Sequence, residues 1–123
     1  AAYRRNEAPV IYGDGEQTRD FTYVSNVVDG VLKATEVPAA AGEIINVATG
    51  IRISLNQLYQ ALGSHAGVAP AASYEAARAG DVRHSQADIS KAARILGYQP
   101  SVALEQGLAT TFDWYRAHLT SRT

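Results

Sequence analysis

Apolar and polar positions alternate over residues 9–12 (Pro-Val-Ile-Tyr) and again over 18–24, with Gly13-Asp14-Gly15 between them. Alternation at a period of two predicts strands, and the Gly-Asp-Gly tripeptide predicts the tight turn that joins them. The period then lengthens. Val27, Val28, Val31 and Leu32 fall on one helical face, with Ser25 or Asn26 as cap and Pro38 and Gly42 as the stop. Glu43–Val47, rich in isoleucine and valine, predicts a short buried strand. Ser54 opens a second helix and Gln57 completes a capping box, ahead of the stripe Leu55, Leu58, Tyr59 and Leu62. Residues 63–72 carry alanine, glycine and proline without a period, and 73–76 predict a short strand. Asp88 caps a third helix, with Ile89, Ala92, Ala93 and Leu96 inward and Gly97 as its end. The last helix runs from about residue 103 to 118 with the stripe Leu104, Leu108, Phe112, Tyr115 and Leu119, and Trp114 beside it as a packing residue.

These elements make a mixed α/β chain of short strands and about four helices. Its 123 residues fit one domain, 1–123, with a modest core. A hydrophobic content of 46% with 19% charged residues is ordinary for a globular protein. A formal net charge of -1 gives no basis for nucleic acid or an anionic membrane surface as partner. With no cysteine there is neither disulfide nor thiolate chemistry, and no apolar run reaches the length of a membrane span. No charged-then-apolar leader is present, so the expected location is cytoplasmic.

The candidate chemistry lies in two strings. Gly13–Val24 reads GDGEQTRDFTYV, which places the guanidinium of Arg19, a rigid fork of donors suited to phosphate, at the start of a strand. Arg78–Ala92 reads RAGDVRHSQADISKA and sets Arg78 and Asp81 on either side of a flexible Gly80. Read plainly, Arg19 pairs on the surface with Asp20 or Glu16, Asp81 is a turn carboxylate, Ser85 a surface serine and Tyr12 a core residue of its strand. Asp88 and Lys91 read as a cap and a solvated helix residue. His65, His84 and His118 have no metal-ligand spacing. Gly13 and Gly15 give G-x-G, but Thr18 stands where a third glycine is needed and a strand follows, so the dinucleotide fingerprint is rejected.

Both strings resemble motifs of the extended short-chain dehydrogenase/reductase family, the NAD-dependent nucleotide-sugar epimerases and dehydratases. Gly42–Gly50 (GEIINVATG) and Leu96–Pro100 (LGYQP) are similar to two more, in matching order, so the resemblance covers Ala8 to Leu119. It implies the carboxy-terminal portion of that fold, without the amino-terminal Rossmann half. It further implies Arg19 and Arg78 on the diphosphate of a UDP-sugar, Asp81 on the ribose hydroxyls, Tyr12 against the uracil, and Ser85 as gatekeeper of the sugar pocket. The strings look most like those of UDP-glucose and UDP-N-acetylglucosamine 4-epimerases. The family's Tyr-x-x-x-Lys pair is missing: the two lysines, Lys33 and Lys91, are preceded four positions earlier by Asp29 and Ala87.

The expectation is therefore a nucleotide-sugar-binding portion that binds no cofactor, with NAD held by a longer parent's Rossmann domain, and that is inactive alone. Without that domain the chain is expected to self-associate as a dimer. Two alternatives remain at this point. One is a stand-alone binding or interaction protein that kept the fold. The other is a portion of a dTDP- or UDP-sugar dehydratase or a UDP-glucuronate decarboxylase.

Overall fold

The computed structural model describes residues 7–67 and 71–118. Strand β1 (Val10–Tyr12) lies parallel to β4 (Ser73–Glu75), with Ile11 opposite Tyr74. Strand β2 (Thr18–Arg19) runs antiparallel to β3 (Ile53–Ser54), with Thr18 opposite Ser54. Four helices accompany them: α1 (Val24–Glu36), α2 (Leu55–Ala66), α3 (Ser90–Leu96) and α4 (Leu104–His118). A single 3-10 turn, Pro38–Ala40, follows α1. Helices α2 and α4 pack together, and α3 packs on α1. Among the described residues no helix is long and apolar enough to cross a membrane.

Where the local chemistry is self-contained, the elements form as the pattern predicts. Ser54 Oγ accepts from the Gln57 amide at 3.1 Å and the Gln57 side chain accepts from the Ser54 amide at 2.8 Å, a complete capping box. Helix α3 ends at Gly97 in the left-handed conformation (φ 61°), as expected, but its N-cap is Ile89 rather than Asp88, whose carboxylate, one position earlier, accepts from the Ser90 amide at 2.9 Å. The turn between β1 and β2 needs its second glycine twice over. Gly15 has φ 77°, and a Cβ there would lie 2.0 Å from Asn56 Oδ1.

Helix α1 departs from its pattern. Its N-cap is Tyr23, with no side-chain cap, rather than Ser25 or Asn26. Asn26 is instead fully buried and used at long range. Its Oδ1 accepts from the Ser101 and Val102 amides, each at 3.0 Å, and its Nδ2 donates to the Val102 carbonyl at 2.9 Å. The face that α1 buries is the small one, Asn26 and Gly30, with Ala34 packed on the core; a Cβ on Gly30 would meet Val47 Cγ1 at 2.5 Å. The bulky face that the periodicity points inward stays open: Val28, Val31 and Leu32 are 50%, 55% and 57% exposed.

Further expectations are corrected. Glu43–Val47 is not a strand: no segment among the described residues pairs with it, and Ile44 is almost fully exposed. A strand is a property of a pair, and composition alone does not supply the partner. Strand β2 stops at Arg19 rather than continuing to residue 24, because the Asp20 side chain, not a backbone ladder, holds the next segment. Its carboxylate accepts from the Thr49 amide (3.1 Å), the Thr49 hydroxyl and the Gly50 amide (2.9 Å). On α4, Leu104, Leu108 and Phe112 are half-buried but Tyr115 is exposed, and Leu119 lies outside the described residues. Trp114 is exposed as well, its ring stacked on His118 rather than packed inward. On α3, Ala93 is exposed and Ile95 is half-buried against the core. Lys91 is not merely solvated; it pairs with Glu43 at 2.6 Å, which lowers the Glu43 pKa.

The core is small. Ala92, Leu96 and Tyr98 form its buried centre, with Ala34, Val37, Ala40, Ile45, Val47 and Ile95 around them. Tyr98 donates its hydroxyl to the Ala48 carbonyl at 2.9 Å, and burial pushes its phenol pKa up. The Asn26 side chain ties the start of α1 to the turn before α4, so its loss leaves three backbone groups without partners. We expect Asn26→Ala to cost about 2–4 kcal/mol. In urea titrations this appears as a lower midpoint with an unchanged slope. An unshifted midpoint would show that the Asn26 bonds contribute nothing net.

Candidate functional site

Three of the five residues singled out in the sequence, Tyr12, Arg78 and Asp81, line one groove, and Arg19 joins it through its bond to Asp81. Tyr12 comes from the end of β1, Arg19 from β2, and Arg78 and Asp81 from the loop after β4. A groove of about 270 Å³ is lined by Pro9, Val10, Ile11, Tyr12, Gln17, Leu55, Leu58, Tyr59, Leu62, Arg78 and Asp81. One wall is the apolar stripe of α2, and the polar rim carries both cation and carboxylate. Such a composition suits a ligand with a flat apolar part and a charged part.

Arg19 does not pair with Asp20 or Glu16. Its Nη2 donates to Asp81 Oδ1 at 2.5 Å, and its Nη1 to its own strand's Thr18 carbonyl at 2.8 Å. Those two bonds tie the guanidinium to its own strand and to Asp81, a residue of the groove. Arg78 has no ion pair among the described residues; its Cζ lies 3.9 Å from the centroid of the Tyr12 ring, a cation–π contact. Asp81 is exposed and caps a turn in which its amide donates to the Arg78 carbonyl at 3.2 Å. Ser85 stands apart. Its amide donates to the Thr18 carbonyl at 3.0 Å, and its exposed side chain does not line the groove.

The loop that carries Arg78 and Asp81 is held by β2. Thr18 donates its amide to Arg83 and accepts from Ser85, and its hydroxyl meets the His84 ring at 2.9 Å. Arg83 makes a two-pronged pair with Asp14, at 2.8 and 2.9 Å. That pair lowers the Asp14 pKa and raises that of Arg83. Sequence reasoning missed these partners, as it missed Gln17. Gln17 is buried, donates to the Tyr12 carbonyl at 2.5 Å, and has an Oε1 that meets no protein donor. Its neighbour Arg19 carried the phosphate argument, and nothing in the string GEQTR distinguishes an inward glutamine from a solvated one. Asp14 and Arg83 are 69 positions apart, and only the fold joins them.

The rejected G-x-G turn is also unsuited to a dinucleotide in space. Gly15 is filled against Asn56, and the chain passes from the turn into β2 rather than into a helix. The amides that cradle a pyrophosphate at a helix N-terminus are therefore not assembled here.

Residues 1–111 match the GDP-mannose 4,6 dehydratase family. Among curated proteins, the UDP-glucose 4-epimerase of Mycolicibacterium smegmatis is 39% identical over 106 residues, 86% of this chain and 34% of that protein. Among solved structures, the UDP-glucose 4-epimerase of Thermotoga maritima with UDP-glucose superposes with a TM-score of 0.90 at 39% identity, covering 96% of this chain and 38% of that one. The UDP-glucuronic acid 4-epimerase of Bacillus cereus, in complex with UDP-glucuronic acid and NAD, gives a TM-score of 0.89 at 31% identity, covering 94% and 37%. The chain thus spans about a third of the length of the curated relatives it matches. With a family match over nearly all of its length and two enzymes of that family superposing on its strands and helices, the chain belongs to the extended short-chain dehydrogenase/reductase family of nucleotide-sugar epimerases and dehydratases.

Proposed function

We propose that this chain is the nucleotide-sugar-binding portion of a UDP-sugar 4-epimerase. The observation that carries the reading is the convergence of Tyr12, Arg78 and Asp81 on one groove, with Arg19 bonded to Asp81 at its side. Arg19 and Arg78 grip the diphosphate. Asp81 keeps a second carboxylate oxygen that accepts no hydrogen bond among the described residues, available to the ribose hydroxyls. Tyr12 offers its ring to the base once the Arg78 guanidinium swings from the ring to the phosphates. Ser85, outside this groove on the segment beside Thr18, is small enough to leave room for an acetamido group where the sugar extends past the diphosphate.

NAD supplies the hydride chemistry in this family, but the turn at Gly13–Gly15 does not fit it, and no step of that chemistry is assigned to this chain. By itself the chain binds without turnover. Calorimetry with UDP tests the site. Each charge-assisted contact contributes about 1.5–3 kcal/mol, so Arg19→Ala and Arg78→Ala should each weaken UDP roughly tenfold to hundredfold. NAD should give no saturable heat. Variants that bind UDP as the wild type does would remove the site assignment, and saturable NAD binding would overturn the division of roles.

The role of Ser85 is tested by exchanging it for a ring. Ser85→Tyr should weaken UDP-N-acetylglucosamine by about tenfold or more while leaving UDP-glucose within about twofold. Equal effects on the two sugars would show that this position gates nothing.

We further propose that the chain self-associates through the open face of α1. Val28, Val31 and Leu32 stand half exposed on one helical face, and an apolar face of this kind favours burial against another surface. Light scattering across a dilution series should show a dimer that Val31→Glu abolishes. A monomer at high concentration would refute this.

A further inference from the structure

The loop that presents Arg78 and Asp81 has almost nothing apolar to hold it. Residues 76–86 are exposed throughout, and no helix or strand runs through them. Its position is therefore decided by polar attachments, and the strongest by geometry is the fork between Arg83 and Asp14. Both prongs are at hydrogen-bond length, 2.8 and 2.9 Å, and a bidentate guanidinium–carboxylate pair fixes orientation as well as distance. The carboxylate is itself oriented, because Asp14 Oδ1 also accepts from the Glu16 amide at 2.9 Å. Asp14 belongs to the turn that directly follows Tyr12, the residue beneath Arg78. The fork thus ties the far end of the loop to the same turn that supports its near end. Neither Arg83 nor Asp14 lines the groove.

We propose that Arg83 and Asp14 form a positioning clamp that pre-sets the Arg78–Asp81 loop for a nucleoside diphosphate, an inference that rests on the nucleotide-sugar reading above. The clamp touches no ligand atom. It acts by ordering the loop before binding, so the ordering cost does not fall on the ligand. The carboxylate stays ionised well into acid because Arg83 holds the Asp14 pKa below its ordinary value, so the clamp is closed at neutral pH.

The test uses this chain, UDP as the probe, and calorimetry alongside thermal melting. Arg83→Gln should weaken UDP about fivefold to tenfold, the scale of ordering one or two side chains. Its melting temperature should change little, since exposed pairs add little to stability. Arg83→Lys, which keeps the charge and loses the fork, should fall between. The swapped pair, Asp14→Arg with Arg83→Asp, should recover most of the lost affinity. In an Arg78→Ala background, Arg83→Gln should add less than about twofold, because the clamp acts largely through Arg78. If Arg83→Gln binds UDP as the wild type does while Arg78→Ala is weakened, the site stands and the clamp is wrong. If Arg78→Ala also binds normally, the nucleotide-sugar reading falls and the clamp falls with it. Should Arg83→Gln fail to fold, Arg83→Lys decides: wild-type affinity overturns the role of the fork, and an intermediate loss supports it.

Discussion

Thr18 joins through its backbone two segments that are far apart in sequence. On one side it lies opposite Ser54, the residue that caps α2; on the other it bonds to Arg83 and Ser85. Everything at the groove depends on that double pairing. It sets the wall of α2, because the cap of α2 is the ladder partner of Thr18. It sets the loop of Arg78 and Asp81, because that loop has no core of its own. It also aims Arg19, whose guanidinium reaches Asp81 from the next position along the strand. Two residues of strand therefore align three segments through the backbone, and the Arg83–Asp14 fork adds to this from the side chains.

A second constraint acts on the other half of the molecule. Asp20, next along the chain, turns its carboxylate the opposite way and gathers Thr49 and Gly50, while Tyr98 bonds to Ala48 from below. Arg19 and Asp20 are neighbours with opposite charges and different duties, one to the groove and one to the scaffold. Simple pairing between them would have removed both. What keeps them apart is that each already has its own partners, Asp81 for Arg19 and Thr49 with Gly50 for Asp20.

The parts that were legible in the sequence are those whose partners are near in the chain. Ser54 and Gln57 satisfy each other three residues apart, and Gly97 ends α3 by its own backbone freedom. The convergence of Arg19, Arg78 and Asp81 was legible only through resemblance; charge and spacing alone favoured a surface pair with Asp20 or Glu16. Asn26 was read as a cap because asparagine before a helical stripe commonly is one, yet its amide is spent on Ser101 and Val102, some 75 residues away. The valines of α1 obey helical periodicity faithfully, but periodicity says that a face is apolar and not what covers it. Glu43–Val47 fails for the same reason. Both errors concern surfaces whose complement lies beyond local sequence, and they lie on the side of the molecule away from the groove's own stripe on α2.

The contact between Arg19 and Asp81 has a consequence for how the empty groove behaves. Asp81 on its rim is already owned by the Arg19 cation, so a single weak charge drifting in from solvent, such as chloride or a lone carboxylate, gains little by displacing that pair. A ligand with several charges and hydroxyl donors meets a different balance, because it can take the guanidinium and at the same time give the displaced carboxylate new donors. The internal pair thus works as a filter by valence. It neutralises Arg19 while Arg78 stands apart over the Tyr12 ring, and it favours guests that can satisfy both halves of the pair at once.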